Sequence, residues 1–65
     1  MNAGKSLRIA LVGRSMSQKQ LAEQMGFSRE YVCRMAGQEK IGIGTIVKLA
    51  KFFGMKVSEF LALGE

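Results

Sequence analysis

Apolar residues recur three and four positions apart through most of the chain, in stretches that open at a hydroxyl residue or close at a glycine. That spacing lines one face of an α-helix and predicts five helices, hence an all-α fold. The first runs from about Lys5 to Val12 and stops near Gly13, with Leu7, Ala10 and Leu11 on its inner face. Ile9 and Val12 point elsewhere, so either this helix rotates to bury them or they meet a partner.

Ser17 opens the second helix as an N-cap, and Gln20 follows at the spacing of a capping box, in which two side chains satisfy otherwise orphaned backbone amides. Leu21, Ala22 and Met25 form its apolar stripe. Gly26 suits the left-handed turn that ends a helix, and Phe27 plugs the corner. Ser28 caps the third helix, whose wheel places Tyr31, Val32, Met35 and Ala36 on an anchoring side and Arg29, Glu30, Cys33 and Arg34 on the other.

Gly37 ends the third helix and "QEKIGIG" makes the connection. Ile43, Ile46, Leu49, Ala50 and Phe53 predict the inner face of a fourth helix, which Gly54 closes. A last helix, from about Val57 to Leu63, returns Val57, Phe60 and Leu61 to the core, with Met55 pinning the connection before it.

A chain of 65 residues reads as one domain, residues 1–65. A domain that small buries only about 60% of its unfolded surface, so nearly every apolar side chain is needed inside. The single cysteine makes no internal disulfide, and neither a signal peptide nor a bilayer-length apolar run is present, which fits a cytoplasmic, nucleoid-associated protein. Ten Lys and Arg against five Asp and Glu give a formal charge of +5, which favours a polyanion as partner through counterion release.

Catalysis finds little support. There is no histidine and no second cysteine for a metal pair, and the five acids form no evident carboxylate pair, so neither an enzyme nor a metal or cofactor site is expected. The glycines of "IGIG" follow no strand and lack a third partner, which makes them an interhelical turn rather than a phosphate cradle.

The second and third helices have the organisation of a helix-turn-helix: a capped helix, a short corner containing glycine, and a second capped helix with a polar outer face. Ala22 must be small where the helices cross, Gly26 must tolerate positive φ, and Val32 and Met35 must be apolar anchors. "MSQKQLAEQMGFSREYVCRM" followed by "TIVKLAKFFGMKVSEFL" resembles the Cro/repressor-type, lambda-repressor-like helix-turn-helix family of phage and bacterial regulators over nearly the whole chain. The resemblance implies a compact five-helix bundle that binds operator DNA as a symmetric dimer, with its third helix in the major groove.

The chain also departs from the family. Leu11 and Ala36 stand where the family often pairs an arginine late in helix one with a glutamate at the end of helix three. Replacing both members of a buried ion pair by apolar groups is compatible with the fold, whereas removing one strands a charge. Ile41 and Gly42 replace a frequent proline and a frequent serine or threonine cap, which leaves the start of helix four open by a few residues.

The resemblance assigns base reading to Ser28, Arg29, Glu30, Cys33 and Arg34. An arginine pairs bidentately with guanine, which makes Arg29 and Arg34 the leading readers. Glu30 either accepts from cytosine N4 or pairs with Arg34 one turn on. Cys33 is small enough to touch a thymine methyl; a redox role lacks a resolving thiol.

Gln18 resembles the family's phosphate-contacting glutamine, flanked by Arg14, Lys19, Gln38 and Lys40, which would set register without reading sequence. Family resemblance places a homodimer contact near helix five, with Phe52, Met55, Lys56 and Leu63 as its residues and Phe52 and Leu63 as apolar surplus beyond the core. The expected function is a Cro-like repressor on a palindromic operator, with no room for an effector domain and so no small-molecule effector. The alternatives are a controller protein of a restriction–modification system and an antitoxin or protein-interaction module using Ile9, Val12 and Phe52. A membrane-active peptide is disfavoured, because the charges do not segregate along one amphipathic helix.

Overall fold

The computed structural model describes residues 2–65, in which all regular structure is helical: α1 (Ala3–Gly13), α2 (Gln18–Met25), α3 (Arg29–Ala36), α4 (Ile43–Phe52) and α5 (Val57–Ala62). Each helix sends one side chain to the centre of a shared core, where Leu7, Leu21, Val32, Leu49 and Phe60 are completely buried. Burial of a side chain of this size stabilises a fold by about 1.5–3 kcal/mol relative to leaving it exposed. Leu11 and Ala36 are both buried, so the joint apolar replacement of the family's ion pair packs without a stranded charge.

α1 begins earlier than its apolar spacing predicts, because its start is held by distant backbone. Asn2 Oδ1 accepts from the Lys5 amide at 2.9 Å, while the Ala3 and Gly4 amides donate to the carbonyls of Glu39 and Gln38, both at 2.8 Å. These bonds satisfy amides that a helix start otherwise leaves orphaned. They also bring the backbones so close that a methyl group on Gly4 would strike the carbonyl oxygens of Gln38, Met35 and Ala36. The other end of the chain closes over the same region: a methyl on Gly64 would strike the Asn2 carbonyl and Ser6 Oγ. Buried Ser6 donates to the Leu61 carbonyl at 3.2 Å, so the seam between α1 and α5 is hydrogen-bonded as well as tight.

At its other end α1 runs through Gly13, and the left-handed residue is Ser15, with φ 51°. Arg14, itself exposed, reaches back across the fold to α4. Its Nη2 donates to the Phe53 carbonyl at 2.6 Å and its guanidinium lies 5.9 Å from the centre of the Phe53 ring, which itself stacks near Phe60 at 6.3 Å. Arg14 therefore ties the end of α1 to the end of α4.

Three burial expectations are corrected. Ile43 was expected on the inner face of α4 but is 67% exposed; it sits in the first position of the helix, and Ile41 in the preceding connection packs against the core instead. Tyr31 was expected among the anchors of α3 but is 37% exposed, because Val32, Met35 and Ala36 fill the buried arc. Phe52 and Leu63 are not surplus to the core: both are half-buried against it, and Phe52 meets Phe53 edge-on at 5.2 Å.

Candidate nucleic-acid interface

The interface starts from the capping chemistry of α2. Gln20 N donates to Ser17 Oγ at 3.1 Å and Ser17 N donates to Gln20 Oε1 at 2.8 Å, which closes the capping box read from "SQKQ". That box sets the direction in which α2 leaves the turn, and with it the position of Gln18 and Lys19 in the first helical turn.

The corner then turns the chain. Gly26 has φ 73°, and the Phe27 amide donates back to the Ala22 carbonyl at 2.9 Å. Ser28 Oγ accepts from the Tyr31 amide at 3.1 Å, so Ser28 starts α3 by capping it while its hydroxyl proton stays available to a ligand. Leu21 and Ala22 from α2 face Val32 and Met35 from α3 within the core, which locks the two helices together.

This geometry opens a cleft of about 410 Å³ lined by Gln18 and Lys19 from α2 and by Arg29, Glu30 and Cys33 from α3. Five residues assigned separately from the sequence thus share one surface. Lys19, Arg29, Glu30 and Cys33 are exposed and Gln18 is half-buried. Amide, ammonium and guanidinium donors converge there with a carboxylate acceptor and one thiol, at the positive end of α2. Such a set can bond phosphate oxygens and base edges together.

Arg34, Gln38 and Lys40 are exposed but lie outside this lining. Gln38 is held through its backbone, which accepts from Gly4 and donates to Met35. Arg14 is exposed and also donates to the Phe53 carbonyl, a long-range partner that its place beside a basic surface does not reveal.

Tyr31, placed among the anchors by the helical wheel, makes a contact outside the cleft lining with Thr45, which carries no signal in the apolar spacing. Tyr31 stands edge-on to Phe27 at 5.0 Å, and its hydroxyl lies 3.4 Å from Thr45 Oγ1 in the first turn of α4. They form a strut between α3 and α4; a polar residue three positions after the Gly42 cap gives no local hint of it.

A family model of the Cro/C1-type HTH DNA-binding domain matches residues 6–64. The chain belongs to that family. As a member of the Cro/C1-type family it is a DNA-binding transcriptional regulator, and the match spans α2, α3 and every cleft residue. No curated protein and no solved structure matches the chain. Among the described residues, no helix is long and apolar enough to cross a membrane, and no group of three His, Cys, Asp or Glu is placed to hold a metal ion.

Proposed function

We propose that this Cro/C1-type protein is a Cro-like repressor that occupies a palindromic operator as a homodimer and so excludes polymerase. The supporting observation is the shared cleft: Gln18 and Lys19 at the start of α2 and Arg29, Glu30 and Cys33 on α3 line one surface. In this reading Arg29 and Arg34 pair with guanine, Glu30 accepts from cytosine or orients Arg34, Cys33 packs against a thymine methyl, and the Ser28 hydroxyl donates at the helix start. Arg14, Gln18, Lys19, Gln38 and Lys40 bind phosphates, and Arg14 does so with the guanidinium donors that its bond to the Phe53 carbonyl leaves free.

Residues 1–65 act as one DNA-binding unit in the cytoplasm, without catalysis, cofactor or small-molecule effector. Pairing two copies places their α3 helices in successive major grooves about 34 Å apart, the geometry that calls for a palindrome. Phe52, Met55 and Leu63 are half-buried and Lys56 is exposed, so each keeps surface for the twofold contact.

Selection from random-sequence duplexes followed by sequencing tests this function. A palindrome with two half-sites is the expected product; salt-sensitive binding with no enriched sequence would defeat the operator reading. Within the selected site, Lys40→Ala should weaken all sequences alike and reduce the magnitude of the log K against log salt slope by about 0.9.

A further inference from the structure

Lys5, Arg8, Ile9 and Val12 lie at helical spacing on the outer face of α1 and line a groove of about 340 Å³. Val12 is 79% exposed and Ile9 38%, while the buried face of the same helix is formed by Ala3, Gly4, Ser6, Leu7, Ala10 and Leu11. The helix is thus already packed on one side and carries a second stripe, half apolar and half cationic, on the other. None of the residues lining the α2–α3 cleft lines this groove.

We propose that this stripe docks an amphipathic segment of another protein, one that sets Asp or Glu beside its apolar residues. Charge selects the occupant. α1 contains Lys5 and Arg8 and no acid anywhere in Ala3–Gly13, so a complementary surface must supply the negative groups. A second copy does not: antiparallel packing of two α1 helices about a twofold sets Lys5 and Arg8 of one against Val12 and Ile9 of the other, with no carboxylate in either helix to neutralise the cations. DNA meets the cations but leaves Val12 and Ile9 against phosphate, where apolar surface gains nothing. A lipid surface meets both, but only two apolar side chains are free to enter it, since the rest of the apolar face of α1 is in the core. An acidic amphipathic protein segment satisfies the apolar and the charged positions at once, in the manner of a helix lying in a groove.

The test is a titration of the isotope-labelled full chain, followed residue by residue by NMR, with three probes. These are a synthetic helical peptide that flanks leucines with glutamates, the same peptide with glutamine for glutamate, and phosphatidylglycerol vesicles. Saturable shifts centred on Lys5, Arg8, Ile9 and Val12 with the acidic peptide are expected, with binding about tenfold weaker for the glutamine peptide. Val12→Ser should weaken it similarly, and the charge reversals Lys5→Glu and Arg8→Glu should do so while leaving the spectrum of the core residues unchanged. Shifts centred instead on Gln18, Lys19 and Arg29 would show that the peptide merely imitates DNA and would overturn the proposal. So would equal binding of the two peptides, or shifts of the α1 stripe with vesicles and not with the acidic peptide.

Discussion

Two surfaces of this protein are built in opposite ways. The seam where α1 meets the α3–α4 connection and the end of the chain is made of backbone: Ala3 and Gly4 amides on Glu39 and Gln38 carbonyls, with Gly4 and Gly64 leaving no space for a methyl. The α2–α3 cleft is made of side chains that stand in solvent on two capped helices. Close backbone contact admits almost no change of shape, whereas an exposed side chain can be exchanged without disturbing its neighbours. The seam thus carries stability, and the cleft is free to carry sequence preference.

The largest expected effect lies in the seam. Gly4→Ala should destabilise the fold by about 3 kcal/mol or more, since the carbonyls it meets are backbone and have no flexible end to move aside. Thermal denaturation by circular dichroism reads this directly, and an unchanged midpoint would break the distinction between the two regions. On the exposed side, Arg34→Ala should leave the melting midpoint in place yet relax preference at one base pair per half-site, a loss of about 1–3 kcal/mol of discrimination. Equal weakening on all DNAs would move Arg34 into the phosphate-binding group.

Ser17→Ala sharpens the comparison because it touches both properties. Removing the capping oxygen should cost about 1 kcal/mol, and about 4–8 °C in melting temperature for a domain of this size, while weakening DNA binding through the displaced start of α2. The smallest effect belongs to Ser15, held in the left-handed region where glycine is at ease. Ser15→Gly should raise stability by up to about 1 kcal/mol with DNA affinity unchanged; a lower melting midpoint would show that the serine side chain matters more than its backbone.

The cleft was legible in the sequence because everything that builds it is local. A capping box spans four residues, the Gly26 turn needs one, and the outer face of α3 follows from the helical repeat, so the sequence alone singles out Gln18, Lys19, Arg29, Glu30 and Cys33, which the fold brings together. The seam was not legible, because it joins Gly4 to Gln38 and Gly64 to Asn2, and no local pattern distinguishes these glycines from those in turns. The bond from Arg14 to the Phe53 carbonyl is hidden for the same reason, since its partner lies far along the chain.

Burial at helix edges was the other blind spot. The wheel gives the angle of Tyr31 and Ile43 but not the width of the buried arc or where a neighbouring helix stops, and both residues fall just beyond it. Ile9 and Val12, by contrast, were seen to lie off the core stripe, and the fold leaves them in solvent rather than rotating α1 to bury them.

Cys33 offers the most direct test of the central claim, that α3 reads bases through the cleft it shares with α2. It is the chain's only cysteine, and it is free and exposed within the cleft lining. Duplexes of the selected operator carrying a thiol-tethered base at one position at a time should form a disulfide with Cys33 at one or two adjacent major-groove positions in each half-site, and none with Cys33→Ser. Full binding of the operator with no cross-link at any position would contradict the account.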